Sequence, residues 1–332
     1  GDVVLFAVAV PLAIAGAGVW GPVAGWIVSQ TWVLVGSAVV ARFRPRWRWH
    51  AAHVRDMVRF GSGYAGGSWV LNHPAEIVGP LVIGPQLGAA AVGQGMLVLR
   101  LIDTLGFVQR AARRMALVLF ARVQHDAQRF ARAVEDAAVL QLIAFGAPLV
   151  GFGFVADRLV PVVFGDDWRG ATAVYPAFAF AALVTAASNV SAYALNVRKQ
   201  NAPVVKASAA QLVALLAGTV VLVPDHALTG LGVARLVAVL AIVWLPLHLR
   251  SRLPITLGTT VVWTIAFAPS FAVMHGAVAF KIAASFALLL PLVVPGTRRH
   301  LASLASMTRR GADARPLAVA PGLRTAHEGG AP

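Results

Sequence analysis

The chain has 332 residues, of which 58% are hydrophobic and 12% charged, against roughly 25% charged in an ordinary soluble domain. Runs of ~18 to 20 residues with almost no charge exclude most soluble folds, and the absence of cysteine excludes disulfides and thiolate metal sites. The net charge of +15, from 28 Lys and Arg against 13 Asp and Glu, would suggest nucleic acid in a soluble domain, so its distribution along the chain decides its meaning.

Apolar runs bounded by charge, glycine and proline predict an all-α, polytopic transmembrane bundle of ten helices. In chain order they fall at 3–19, 22–41, 61–83, 90–109, 134–155, 171–195, 204–223, 228–248, 255–274 and 277–294. A transmembrane β-barrel would show ~10-residue segments of alternating polarity, and runs such as 213–223 and 285–294 do not alternate. The sequence begins with Gly and shows no basic region followed by a cleavage site, so no signal peptide is expected and an N-terminal segment is expected to be missing.

The basic residues sort by loop. Arg42, Arg44, Arg46, Arg48, Arg55 and Arg59 follow the second span, and Arg110, Arg113, Arg114, Arg122, Arg129 and Arg132 follow the fourth. Arg198, Lys199, Lys206, Arg250, Arg252 and the arginines of the tail fall on the same side, so 23 of the 28 are assigned to the cytoplasm and only Arg158 and Arg169 to the outside. Both ends of the chain are then cytoplasmic and the expected location is the cell inner membrane. The charge reads as a topology determinant attracted to anionic lipid head groups, with no role for nucleic acid. The RFRPRWRW segment at 42–49 reads as an interfacial anchor.

Ionisable groups within spans are costly and are retained facing a partner or a water-filled cavity. The third span carries Asn72, His73 and Glu76 around Pro74, where a kink is expected. Glu76 either hydrogen-bonds a neighbouring helix structurally or lines a transport lumen. On the fourth span Arg100 and Asp103 share a helix face and can neutralise each other, while the short third-to-fourth connection makes Glu76 a second candidate partner for Arg100. A Glu76–Arg100–Asp103 cluster would carry one net negative charge, which a single proton or cation would neutralise. Arg235, after the glycines at 230 and 232, either snorkels or attracts an anionic substrate group; Lys281 is read as snorkelling. Asn72, His73, Glu76, Arg100, Asp103 and Arg235 are therefore the candidate substrate or coupling-ion residues.

No enzyme is expected. His50 and His53 are the only close histidine pair and lack neighbouring carboxylates, so no metal is assigned, and no GK[ST] phosphate loop or GxSxG elbow occurs. No catalytic residue and no cofactor is assigned.

Three ordered segments carry a family resemblance. ADRLVPVVFGDDWRGA at 156–171, RFGSGYAGGSWVLNHPAEIVGPLVIGPQLGAAAVGQ at 59–94 and ALVLFARVQHDAQRFAR at 116–132 resemble the polysaccharide and oligosaccharide flippases, a branch of the multidrug/oligosaccharidyl-lipid/polysaccharide exporter superfamily. Gln94 stands where the family has Tyr, and Glu76 where it commonly has Asp.

The resemblance implies two six-helix lobes that rock to alternate access. On that pattern 1–41 closes the first lobe, 42–60 is a basic cytoplasmic linker, 61–248 is the second lobe, 249–295 two additional helices and 296–332 a disordered tail. About four helices would lie upstream. The implied cargo is an undecaprenyl-pyrophosphate-linked oligosaccharide for surface polysaccharide, with membrane lipids and other polysaccharide-assembly proteins as further partners. A cation-coupled drug or small-molecule antiporter on the same fold is the first alternative. A multi-span glycan polymerase or ligase is the second, although it would need a longer outer loop than 156–170.

Overall fold

The computed structural model describes residues 2–41, 51, 54, 55, 58 and 78–293. Asn72, His73, Glu76, the basic segment 42–49, most of the span expected at 61–83 and the tail expected at 296–332 lie outside the described residues. Contacts divide the chain into two units, 1–63 and 64–332. The described residues form helices and turns with no strand, and five of the helices are long and apolar enough to cross a membrane. The protein is an all-α membrane helix bundle.

In the first unit α1 (Asp2–Ile14) and α2 (Trp20–Val40) form an antiparallel hairpin. Gly21, Gly25 and Ser29, four residues apart, make a buried stripe of small residues on α2 that lets α1 approach closely. A Cβ on Gly25 would stand 2.7 Å from the Leu5 carbonyl oxygen, so no larger residue fits there. With 13 residues, α1 reaches only ~20 Å, short of the span expected at 3–19, because the chain turns at 15–19.

In the second unit the described residues begin at Val78, and a π-helical turn (Gly79–Ile83) leads into α3 (Gly84–Leu105). The helix breaks at Gly88, whose φ of +82° L side chains rarely adopt. The chain reverses there, since a Cβ on Gly84 would meet the Val92 side chain at 3.7 Å, whereas a continuous helix would hold these positions ~12 Å apart. The short antiparallel connection expected between the third and fourth spans is this reversal.

Next comes α4 (Phe107–Val123), an amphipathic helix in a stretch that the sequence reading assigned to a loop. Its arginines hide the helix from a hydropathy window, but Ala116 and Phe120 recur at helical spacing and are buried against Phe130, Ala131 and Val134. Arginine is also a good helix former. The basic loop is thus a helix lying against one end of the bundle, as interfacial helices do. Asp126 caps the next helix: its Oδ1 accepts from the amides of Gln128 and Arg129, both at 3.0 Å. The Arg129 amide, more than any other group, holds the Asp126 carboxyl below its ordinary range.

The centre is built by α5 (Ala127–Phe164), α6 (Arg169–Val197) and α7 (Asn201–Arg250). At 50 residues α7 would be ~75 Å long if straight, more than twice a hydrocarbon core. It folds back at Ala227 (φ 49°, ψ −135°), two residues after Asp225, into arms at 201–226 and 228–250. Close approach of Gly218 to Ala234, where a Cβ would come within 2.9 Å of the alanine methyl, shows the arms packed together. The two spans expected at 204–223 and 228–248 are these arms.

Two further helices, α8 (Gly258–Ala272) and α9 (Val278–Phe286), stand where spans were expected at 255–274 and 277–294. Both are shorter than a full crossing, and α9 passes through a 3₁₀ turn (Ala287–Leu289) into α10 (Leu290–Val293). Gly146 and Gly153, seven apart on α5, form notches for Phe267 and Met274, also seven apart, so α5 and α8 run parallel in register. A Cβ at Gly146 would meet the Phe267 ring at 2.6 Å; one at Gly153 would meet the end of the Met274 thioether at 2.3 Å. A ring held in the core cannot swing aside as a thioether can. Gly146→Ala is therefore expected to destabilise the bundle by about 1–3 kcal/mol and Gly153→Ala by less. Thermal unfolding of the detergent-solubilised protein checks the order; the reverse ranking would show that Phe267 does not seat α8.

Candidate functional site

Arg235 lies on the second arm of α7, which the reversal at Ala227 turns back into the bundle. Its guanidinium carbon sits 4.8 Å from the centre of the Phe178 ring on α6, a cation–π geometry. Nη1 is buried and has no hydrogen-bond partner among the described residues. The opposing charge comes from Asp103 on α3, which acts on Arg235 across the helix interface. Phe178 and Arg235 thus join α6 to α7, with Asp103, exposed on α3, within electrostatic range.

Around the guanidinium is a cavity of about 20 Å³, lined by Val78, Gly95, Met96, Leu215, Leu231 and Phe178 among others. Apart from the guanidinium its lining is apolar. Val78, wholly buried, stands two residues beyond Glu76 and brings the end of the third span to this cavity. Of the sequence-predicted residues, the structure places Arg235 at this cavity and Asp103, exposed on α3, within electrostatic range of it. Arg100 is exposed on α3, where its carbonyl accepts from the Thr104 hydroxyl at 2.8 Å. Asn72, His73 and Glu76 lie outside the described residues.

Gln94, also on α3, ties down the turn between α5 and α6. Its Nε2 donates to the Asp167 carbonyl at 2.7 Å, and a Cβ on Gly170 would come within 2.3 Å of Gln94 Oε1. The Gly–Asp–Asp–Trp turn at 165–168 is held against α3 by this contact and by Trp168, which packs beside Gly93.

A second polar cluster was missed by the sequence reading. Glu135 on α5 is buried, and its Oε1 accepts from both the amide and, at 2.9 Å, the hydroxyl of Thr256. A cavity of about 30 Å³ beside it is lined by Ser188, Ser191 and Thr260 with apolar neighbours. Gln141, two turns along α5, buries an Nε2 with no partner among the described residues. The signal was present: position 135 lies four residues after Ala131 and four before Val139, on the apolar face of the α5 pattern. Its place at the very start of the span expected at 134–155 makes it look like a boundary charge. Among the described residues no group of three or more His, Asp or Glu is gathered to hold a metal ion.

No curated protein matches the chain, and no solved structure matches it. The polysaccharide biosynthesis protein family matches residues 1–173, which run from α1 into the first turn of α6 and include Gln94, Arg100 and Asp103 but not Arg235. With more than half of its length matched in this way, the chain belongs to the polysaccharide biosynthesis protein family.

Proposed function

We propose that the protein moves a lipid-linked oligosaccharide, carried on undecaprenyl pyrophosphate, from the cytoplasmic to the outer leaflet of the cell inner membrane by alternating access. It does so without catalysing a reaction and with both ends of this chain in the cytoplasm. Family membership and the apolar helices support a membrane role in polysaccharide biosynthesis. The observation that carries the finer reading is the Arg235 guanidinium: a cation inside the bundle, opposed by Asp103, with one nitrogen free to donate.

Pyrophosphate with a hydrophilic glycan cannot cross hydrocarbon unaided, since burying an unpaired charge is prohibitive. A bundle that offers a buried guanidinium can replace part of the lost hydration. In the conformation described the cavity around Arg235 is closed, and the fold-back at Ala227 is the joint about which the second arm of α7 would move to open it. The lipid tail stays in the bilayer throughout.

Deleting the complete gene and analysing cell-associated glycans tests the reading. A lipid-linked oligosaccharide is expected to accumulate on the cytoplasmic leaflet while its assembly continues. Loss of drug resistance with normal surface glycan would favour an antiporter, and accumulation of single repeat units on the outer leaflet would favour a polymerase.

A further inference from the structure

We propose that the end of the bundle away from the arginine-rich helix α4 carries a binding site for one anionic phospholipid, between α5 and α9, independent of the cargo reading. From Arg132 to Arg158 along α5 is ~39 Å, about the thickness of a bilayer including head groups. With Arg132 at one membrane surface, Arg158 stands at the head-group level of the other. A cavity of about 610 Å³ opens there, within the ~300–1,000 Å³ range of small-molecule sites.

Its polar rim has an uneven charge. Asp157 is engaged by His275, whose Nδ1 lies 3.2 and 3.3 Å from the two carboxylate oxygens. Lys281 Nζ donates to the Phe154 carbonyl at 3.3 Å and stands 5.9 Å from the centre of the Phe154 ring, which fixes it at the rim with donors to spare. Arg158 is exposed and makes no hydrogen bond or ion pair among the described residues. Two cations therefore face the cavity with the nearby carboxylate already occupied.

Below this rim the cavity wall is apolar. Val278, Ile282, Phe286 and Leu289 follow at helical spacing, and each is more than half exposed. The stripe descends ~16 Å, the depth of one leaflet of a ~30 Å hydrocarbon core. A phosphate between Arg158 and Lys281 with an acyl chain along the α9 stripe satisfies both halves, the phosphate through charge-assisted hydrogen bonds and the chain through apolar contact. Neutral lipid would leave the two cations unused. The tethering of Lys281 to Phe154 replaces the free snorkelling expected from its position.

The test uses the full-length protein in phosphatidylcholine nanodiscs, with spin-labelled phosphatidylglycerol or spin-labelled phosphatidylcholine as probe. The motionally restricted fraction is expected to favour phosphatidylglycerol, and Arg158→Ala and Lys281→Ala to cut that preference roughly fivefold each. Lys281→Arg should retain it, and Arg169→Ala should leave it unchanged, since Arg169 is paired with Asp166 at 2.8 Å. Unfolding curves establish that each variant is intact. Equal restriction of the two probes in the parent protein would overturn the proposal, as would an undiminished preference in an intact double variant. Displacement of the phosphatidylglycerol probe by free glycerol phosphate would overturn the assignment to a whole lipid.

Discussion

Arg235→Met is expected to abolish polysaccharide export while leaving the bundle as stable as the parent, or more so. A cation within the bilayer costs up to ~2.5–3.5 kcal/mol on insertion scales, and a thioether of similar length removes that cost. Against this stand the cation–π contact to Phe178, worth ~2 kcal/mol when desolvated, and the attraction of Asp103. These terms nearly cancel, as they do when buried ion pairs are replaced by apolar side chains of similar volume. Transport would not share the cancellation, because a charge-assisted hydrogen bond to cargo is worth ~1.5–3 kcal/mol, or about 10- to 100-fold in rate. Arg235→Lys keeps the charge without the planar fork and is expected to fall between. Asp103→Asn alone should hurt folding more than Arg235→Met/Asp103→Asn together, since it leaves the guanidinium unopposed. Wild-type export from Arg235→Met would remove this residue from the transport path.

The largest effect on stability is expected at Glu135. Its carboxylate is the acceptor for two donors of Thr256, in the segment that joins α7 to α8. Glu135→Leu removes the acceptor shared by both donors of Thr256, two hydrogen bonds to a charged group, and is expected to cost about 3 kcal/mol. Glu135→Gln retains an acceptor oxygen and should cost about 1 kcal/mol, as should Thr256→Val, which removes only the hydroxyl. Tryptophan fluorescence during thermal unfolding reads all three, with Trp263 on the helix that Thr256 precedes. A Leu variant as stable as the Gln variant would mean that the segment at 253–257 is held by Leu253 and Ile255, both buried, and not by the carboxylate.

The helices central to the bundle were legible because their apolar runs have no competing signal. The run expected at 171–195 is α6 within two residues at each end, and Pro224 with Asp225 marked the break in α7. What hydropathy could not show is a helix whose arginines cancel its apolar face, which is why α4 read as a loop. Lengths at the edges were overestimated for a related reason. An apolar run continues through turns such as 15–19, where the backbone, not the polarity, ends the helix.

At the site, single residues were legible and their partners were not. Asp103 and Arg235 stood out as charges within apolar runs. Sequence spacing offered Asp103 a partner on its own helix, Arg100, with Glu76 of the adjoining span as a second candidate partner for that arginine. The opposite charge acting across to Asp103 comes from α7: Pro224 and Asp225 mark the reversal, but spacing along the chain does not tell which residue of the returning arm comes near α3. Glu135 was hidden by its position at a span boundary, where a carboxylate ordinarily meets water.

The reversals at Gly88 and Ala227, with the turn at 15–19, have a consequence for how the chain assembles. Each pairs a helix with the segment made just before it: Gly25 with Leu5, Gly84 with Val92, Gly218 with Ala234. Contacts this local close small loops and cost little chain entropy, so they can form as soon as both arms have left the ribosome. The protein is thus expected to enter the membrane as preformed hairpins, each hiding its glycine seam from lipid. The long-range contacts then come last, among them Gly146 with Phe267 and Glu135 with Thr256. A variant that weakens α8 docking would accordingly be inserted normally and fail late, as a complete set of spans that does not close.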